Sequence, residues 1–259
     1  MKLSPALYSL MIMLFWVQPD TVSAEELSYL IIANQAEPFQ INTSNHQASS
    51  GIISDVISLL ATKKPFKIVP HVMPFKRYNH EIKAKTYTKW ISYGSPAWRD
   101  NKQVLTQNKR LSKQALFSVN HTLVQLNSDR NTYSNAEDLF GKTVILLKGF
   151  SYPGLTTFIE NDQIKKVEAR SHQSALQALI NKRGEVFIEM ENRIRYAIKQ
   201  HSIDQSRLKL TNATNITPSL DIHLSYGDNV SQDTINWIDD QIVIMKANAQ
   251  LESIINRYQ

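Results

Sequence analysis

The sequence predicts an α/β protein in two halves, the second inserted in the first, with a cleft between them. Three observations carry this prediction. A strand–helix–strand rhythm, the pattern of a parallel sheet, runs from Leu27 to Tyr93 and returns from Thr143 to Gln200. Two extended stretches, Leu116 to Leu126 and Asn212 to Tyr226, separate the halves, so the chain crosses between them twice. Finally, Gly141 to Glu160, GKTVILLKGFSYPGLTTFIE, reads as strand, glycine turn and helix start. One continuous α/β domain is the competing arrangement.

Taken in order, Leu27 to Ala33 is an apolar strand, followed by Glu37-Pro38-Phe39 and a polar loop. Ile52 to Lys63 carries Ile53, Val56, Ile57 and Leu60 at helical spacing. Phe66 to Val72 is a strand broken by Pro70, Pro74 opens a helical segment through Lys85, and Lys89 to Tyr93 is a third strand. Arg99 to Lys113 is polar. In the second half, Thr143 to Leu147 is too short for a helix and rich in β-branched residues. Ser151 reads as an N-cap and Pro153 sits where a missing N–H costs nothing. Lys165 to Ala169 is a strand, and Ser171 caps a helix carrying Ala175, Leu176, Leu179 and Ile180. Glu185 to Met190 alternates as a strand and Arg193 to Gln200 is helical. From Ser231 onward, Ile235, Ile238, Ile242, Met245 and Ala249 mark one long surface helix with a single apolar face.

Composition narrows the class. The 259 residues are 42% hydrophobic and 20% charged, an ordinary globular balance. Lys2, the apolar run Leu10 to Val17 and Val22-Ser23-Ala24 read as a signal peptide over residues 1–24, the run being too short for a bilayer span; an uncleaved anchor is the competing reading. Cleavage there leaves 259 − 24 = 235 residues. There is no cysteine, which excludes disulfides, thiolate catalysis and a lipid-modified terminal Cys, and fits a periplasmic location. The net charge of +6 is scattered over pairs such as Lys63-Lys64 and Lys182-Arg183, with no stripe for nucleic acid. No Gly-x-Ser-x-Gly, Walker or His-Glu-x-x-His pattern occurs, the seven His are dispersed, and neither cofactor nor metal is expected.

Several stretches, in this order, resemble the extracellular solute-binding proteins of family three. Glu37-Pro38-Phe39 resembles that family's Pro-Pro-Phe loop, and Gly51 to Asp55 its Gly-x-x-x-Asp helix start. Met73 to Arg77 is similar to Pro-Trp-x-Arg, and Ser95-Pro96-Ala97-Trp98-Arg99 to a Thr-Pro-x-Arg turn. Glu137 to Lys142, Lys148-Gly149 and Ser174 to Leu179 resemble its second-half motifs. The chain departs in three places: Ser95 and Arg99 are spaced one residue wider, Trp90 to Gly94 lacks an acid, and Gly184-Glu185 replaces Gly-x-x-Asp.

The resemblance implies a type II periplasmic binding fold, each lobe a mixed sheet flanked by helices. Lobe 1 would be 25–116 and 220–259, and lobe 2 would be 117–219. It implies a monomer that closes on a small polar, carboxylate-bearing or amino-acid-like ligand. The partner would be an inner-membrane importer of the ABC type, or else a membrane signalling protein. An enzyme is not expected.

The candidate site residues each carry a competing account. Arg99 matches the family's carboxylate clamp, and a guanidinium fork suits that role; pairing with Asp100 is the alternative. Ser95 offers a hydroxyl or simply forms the turn. Gly149, Phe150 and Ser151 would present backbone N–H groups at the helix start, a ready anion site, unless Gly149 serves turn geometry alone. Phe39 and Phe75 are candidate walls over a cationic group, with core packing the alternative. Tyr152 and Trp98 are further pocket aromatics. Glu189, with Glu191 on the same face if the strand extends, would meet a ligand amine; ion pairs to Arg193 or Arg195 compete. Arg77 reads as tying helix to loop and Asp55 as a structural pair.

Overall fold

A computed structural model describes residues 25–42, 49–64, 66–98, 110–150 and 152–258. Residues 1–24, expected to be a signal peptide, Arg99 and Ser151 lie outside the described residues. The chain opens with β1 (Glu25–Ile32), β2 (Ile41–Asn42), β3 (Ser49–Ser50), α1 (Ile52–Lys63), β4 (Phe66–Met73), α2 (Phe75–Lys83), β5 (Trp90–Gly94), β6 (Arg110–Leu111) and β7 (Phe117–Val119). It continues with β8 (His121–Leu126), β9 (Thr143–Leu147), α3 (Thr156–Glu160), β10 (Lys165–Ala169), α4 (His172–Ile180), β11 (Val186–Met190), α5 (Glu191–Gln200) and β12 (Leu208–Asn212). It returns through β13 (Leu220–Tyr226), α6 (Gln232–Ala247) and α7 (Gln250–Asn256).

Two mixed sheets result. The first runs β4-β1-β5-β13-β6, with β7 also on β13; β1 is parallel to β4 and β5, while β13 is antiparallel to β5. The second runs β10-β9-β11-β8-β12, with β9 parallel to β10 and β11 and with β8 antiparallel to β11 and β12. Period-two alternation gives this sheet two buried faces. Leu123, Val144, Leu146 and Ile188 pack on one side, and Val124, Ile145, Leu147 and Phe187 on the other. The first lobe's core gathers Leu30, Ile31, Phe39, Ile53, Tyr93 and Leu224 with α6 residues such as Ile238 and Ile242.

The extended stretch from Leu116 to Leu126 is in fact two strands, β7 in the first sheet and β8 in the second, with Asn120 between them. The second crossing is 213–219. The crossings touch: Ser219 Oγ donates to Asn120 Oδ1 at 2.7 Å, and Glu191 N–H donates to the Asn120 carbonyl at 2.9 Å.

Three local expectations need correction. Pro70 does not break its strand, because β4 lies at the sheet edge, where a missing N–H removes no ladder bond. The C-terminal helix is two helices, interrupted where Ala249 takes φ 61°. The helix expected near Ser151 begins only at Thr156. Gly154, at φ +91°, holds the chain so close to the Ile216 carbonyl that a Cβ there would collide with it. Pro153 and Gly154 therefore make a turn before the helix can start. Among the described residues no helix is long and apolar enough to cross a membrane.

Candidate functional site

The two lobes meet along a cleft whose inner part centres on Arg193. Helix α5 buries Ile194, Ala197 and Ile198 in the second lobe's own core. Arg193 precedes that face by one residue, about 100° around the helix, which carries its side chain off the core and toward the first lobe. Its guanidinium carbon lies 4.8 Å from the centre of the Phe39 ring and 5.4 Å from that of Phe150. Nη2 donates to Tyr93 Oη at 3.0 Å, and Nη1 stands 3.6 Å from Glu189 Oε1. Arg193 is 0% exposed and Glu189 2%. Nε and Nη1 find no hydrogen-bond acceptor among the described residues.

Glu189 is engaged on every side. Tyr152 Oη donates to its Oε2 at 3.2 Å while accepting from Leu147 N–H at 2.9 Å. The Met190 N–H donates to Oε1 at 2.9 Å. Burial pushes the Glu189 carboxyl up, but Arg193 first and His172 next outweigh it and hold the group below the usual carboxylate range. His172 Nε2 lies 4.0 Å away, and burial takes that imidazole down to about 4 despite the opposing pull of Glu189. The histidine is therefore neutral at pH 7, and its contact with Glu189 is no ion pair there. Burial also raises Tyr93 to about 12, with Arg193 opposing.

The expected pairing of Glu189 and Glu191 on one strand face does not occur, because β11 ends at Met190 and Glu191 opens α5. Glu191 instead binds Arg195 at 2.7 Å, one helical turn on. Both ion pairs weighed for these acids in the sequence are thus present, and the cation beside Glu189 comes from the chain itself.

The outer part of the cleft is different. Phe75, the first residue of α2, stacks on Phe150 across the lobes at 4.6 Å and 17°. Gly149, at φ +86°, fits beneath that ring; a Cβ would sit 3.4 Å from Phe75 Cδ1. Gln35 Nε2 donates to the Lys148 carbonyl at 3.4 Å. Around this contact lies a cavity of about 400 Å³ lined by Asn34, Gln35, Phe75 and Lys76 of one lobe and Lys148, Gly149 and Arg170 of the other. Its three cationic side chains are all exposed.

The sequence candidates distribute as follows. Phe39 is fully buried against Tyr93 and Phe117 yet still contacts a cation. Ser95 is buried in a turn, its carbonyl accepting from Trp98 N–H at 3.2 Å and its Oγ without a partner among the described residues. Phe150 N–H turns back to the Leu147 carbonyl at 3.3 Å. That donor is spent inside the chain, because the turn closes before any helix begins. Trp98 meets Tyr93 edge-on at 5.9 Å. Asp55 binds Tyr258 Oη at 2.8 Å and Arg257 at 3.0 Å. Arg77 pairs with Glu81 of its own helix at 3.1 Å rather than with a loop. Sequence reasoning offered Arg193 only as an ion-pair partner for the acids, and it missed Lys76 and Arg170. Only Arg193 left a trace, its i, i+4 spacing from Glu189.

This fold is that of the type II periplasmic binding proteins. No family model matches the chain, and no curated protein does. Among solved structures, the chain resembles a mutant of ArgBP from T. maritima with TM-score 0.69 and 16% identity, over 90% of this chain and 94% of that one. The GluR0 ligand-binding core in complex with L-glutamate matches with TM-score 0.69 and 15% identity, over 91% and 99%. The periplasmic VFT2 domain of Bordetella pertussis BvgS matches with TM-score 0.66 and 16% identity, over 91% and 93%.

Proposed function

We propose that this protein is a periplasmic receptor that holds a small carboxylate-bearing or amino-acid-like ligand between its lobes. The reading is supported by the outer cavity, which Lys76 of one lobe lines together with Lys148 and Arg170 of the other. Three cations around an aromatic wall favour an anionic head with a small apolar body. Ligand contacts from both lobes would stabilise the closed state. Structures of the same fold bind amino acids, arginine in one case and L-glutamate in another. Arg99 remains a proposed contributor.

The partner is an ABC-type importer in the inner membrane, after removal of residues 1–24. The stacking of Phe75 on Phe150 also ties the lobes through the chain's own side chains. That feature favours, as a second reading, a receptor that reports its ligand to a membrane signalling protein.

Calorimetry of the purified protein against α-amino acids and small mono- and dicarboxylates tests the reading. Saturable heat is expected with at least one carboxylate. A folded protein that gives heat with none of them overturns it.

A further inference from the structure

The groups that surround the Arg193 guanidinium form a recognisable set. Glu189 supplies a buried carboxylate, Phe39 and Phe150 supply ring faces from opposite lobes, and Tyr93 supplies a phenol oxygen as acceptor. A planar cation needs these partners when it leaves water: opposite charge, π faces and acceptors at its edge. The cation is covalently part of the second lobe, while Phe39 and Tyr93 belong to the first. We propose that the deep part of the cleft is a guanidinium-binding site that the chain fills with its own Arg193, which thereby acts as a tethered occupant holding the lobes together.

The placement of Arg193 argues against simple core packing. Its helix fills the second lobe's core with Ile194, Ala197 and Ile198, whereas the Arg193 guanidinium meets Phe39 and Tyr93 of the first lobe. An ion pair needed only to neutralise Glu189 would not require two rings and a phenol drawn partly from the other lobe. This inference stands apart from the proposed ligand in the outer cavity, because none of the four partners lines that cavity except through the ring stack of Phe150 on Phe75.

The chain has no cysteine, so donor and acceptor dyes on Gln177→Cys and Val243→Cys, exposed sites on opposite lobes, report lobe separation by energy transfer. In Arg193→Ala the separation should increase and its distribution broaden. Methylguanidinium should restore the wild-type value saturably, about tenfold tighter than methylammonium does, since an ammonium lacks the planar fork. The wild type should not respond, its site being filled. The proposal is overturned if Arg193→Ala leaves the separation unchanged, if methylguanidinium gives no saturable return, or if wild type and variant respond alike. If Arg193→Ala fails to fold, the paired variant Glu189→Gln with Arg193→Met removes both charges at similar volume. It should open the lobes relative to wild type, and an unchanged separation in it overturns the proposal equally.

Discussion

The inner and outer halves of the cleft place cations beside aromatic rings under opposite conditions of solvation. Inside, Arg193 is wholly buried, and its charge is met by Glu189, Tyr93 and two ring faces. Outside, Lys76, Lys148 and Arg170 surround Phe75 while their charges stay in water. A buried charge without a partner costs several kcal/mol, so the chain must supply the counter-charge itself. An exposed charge costs little and remains free to meet an incoming anion. The same residue types are therefore sealed into structure at the base of the cleft and left in water at its mouth, where the proposed ligand would meet them.

The sharpest break of this contrast is at Arg193. Arg193→Ala strands the Glu189 carboxylate in a buried site, and stability should fall by about 3–5 kcal/mol. Glu189→Gln combined with Arg193→Met should recover most of that loss, since a buried pair is often replaceable by packed neutral groups. Urea denaturation of the three proteins checks this. If the single variant loses under about 1 kcal/mol, the inner half is energetically no different from a surface pair.

Next in size is a pH effect. His172 titrates near 6.5 in an unfolded chain and at about 4 in the native one, because burial penalises its charged form. Between those values the unfolded state holds a proton that the native state lacks, so stability is complete above pH 6.5 and declines as pH falls toward 4. The loss is at most about 3 kcal/mol over that window. Glu189 adds a decline at lower pH, since its depressed carboxyl contributes stability above its unfolded value and loses it as the native group protonates. Denaturation midpoints at pH 7.5, 5.5 and 4.5 should show the slope, and His172→Gln should flatten its upper part. An equal slope in the variant would remove His172 as the cause.

Much of the fold was legible because its signals are local. The run Thr143 to Leu147 became β9, Ser171 caps α4 through Ser174 N–H, and the two extended stretches each contain a crossing between strands of the two sheets. What failed were boundaries decided by distant atoms. The start of α3 depends on Gly154 meeting the Ile216 carbonyl, a contact across 62 residues that no window of sequence displays. The site was partly legible for the same reason. Glu189, Phe39, Phe75 and Gly149 stood out, but the partner of Glu189 and Phe39 is one side chain, Arg193. The sequence offers Arg193 as an ion-pair partner for Glu189, but nothing local in ENRIRYAIKQ says that the other lobe covers it.

A smaller effect belongs to the seam between the two halves. Gly149→Ala must hold an L-residue at φ +86° and place a methyl 3.4 Å from Phe75. The backbone cost alone is about 1–2 kcal/mol. Thermal unfolding should register that loss, and the dye-labelled protein should show a wider outer gap. A neutral outcome would mean that Phe75 and the turn relax independently, leaving the lobes in weak contact there.

The smallest effect on folding, and the one that separates capture from structure, is at the mouth. Lys148→Ala and Arg170→Ala remove exposed charges that no described group buries, so each should change stability by under about 0.5 kcal/mol. Each should nevertheless weaken a bound carboxylate, by a few-fold singly and by about tenfold together, a charge-assisted contact being worth about 1.5–3 kcal/mol when well formed and less when solvated. The loss should shrink in high salt, because screening already weakens the wild-type contact. Titration of the same carboxylate into the wild type, both single variants and the double variant at two salt concentrations decides the matter. Unchanged affinity in the double variant would move anion recognition away from these cations and leave the outer half of the cleft as lined, but unused, surface.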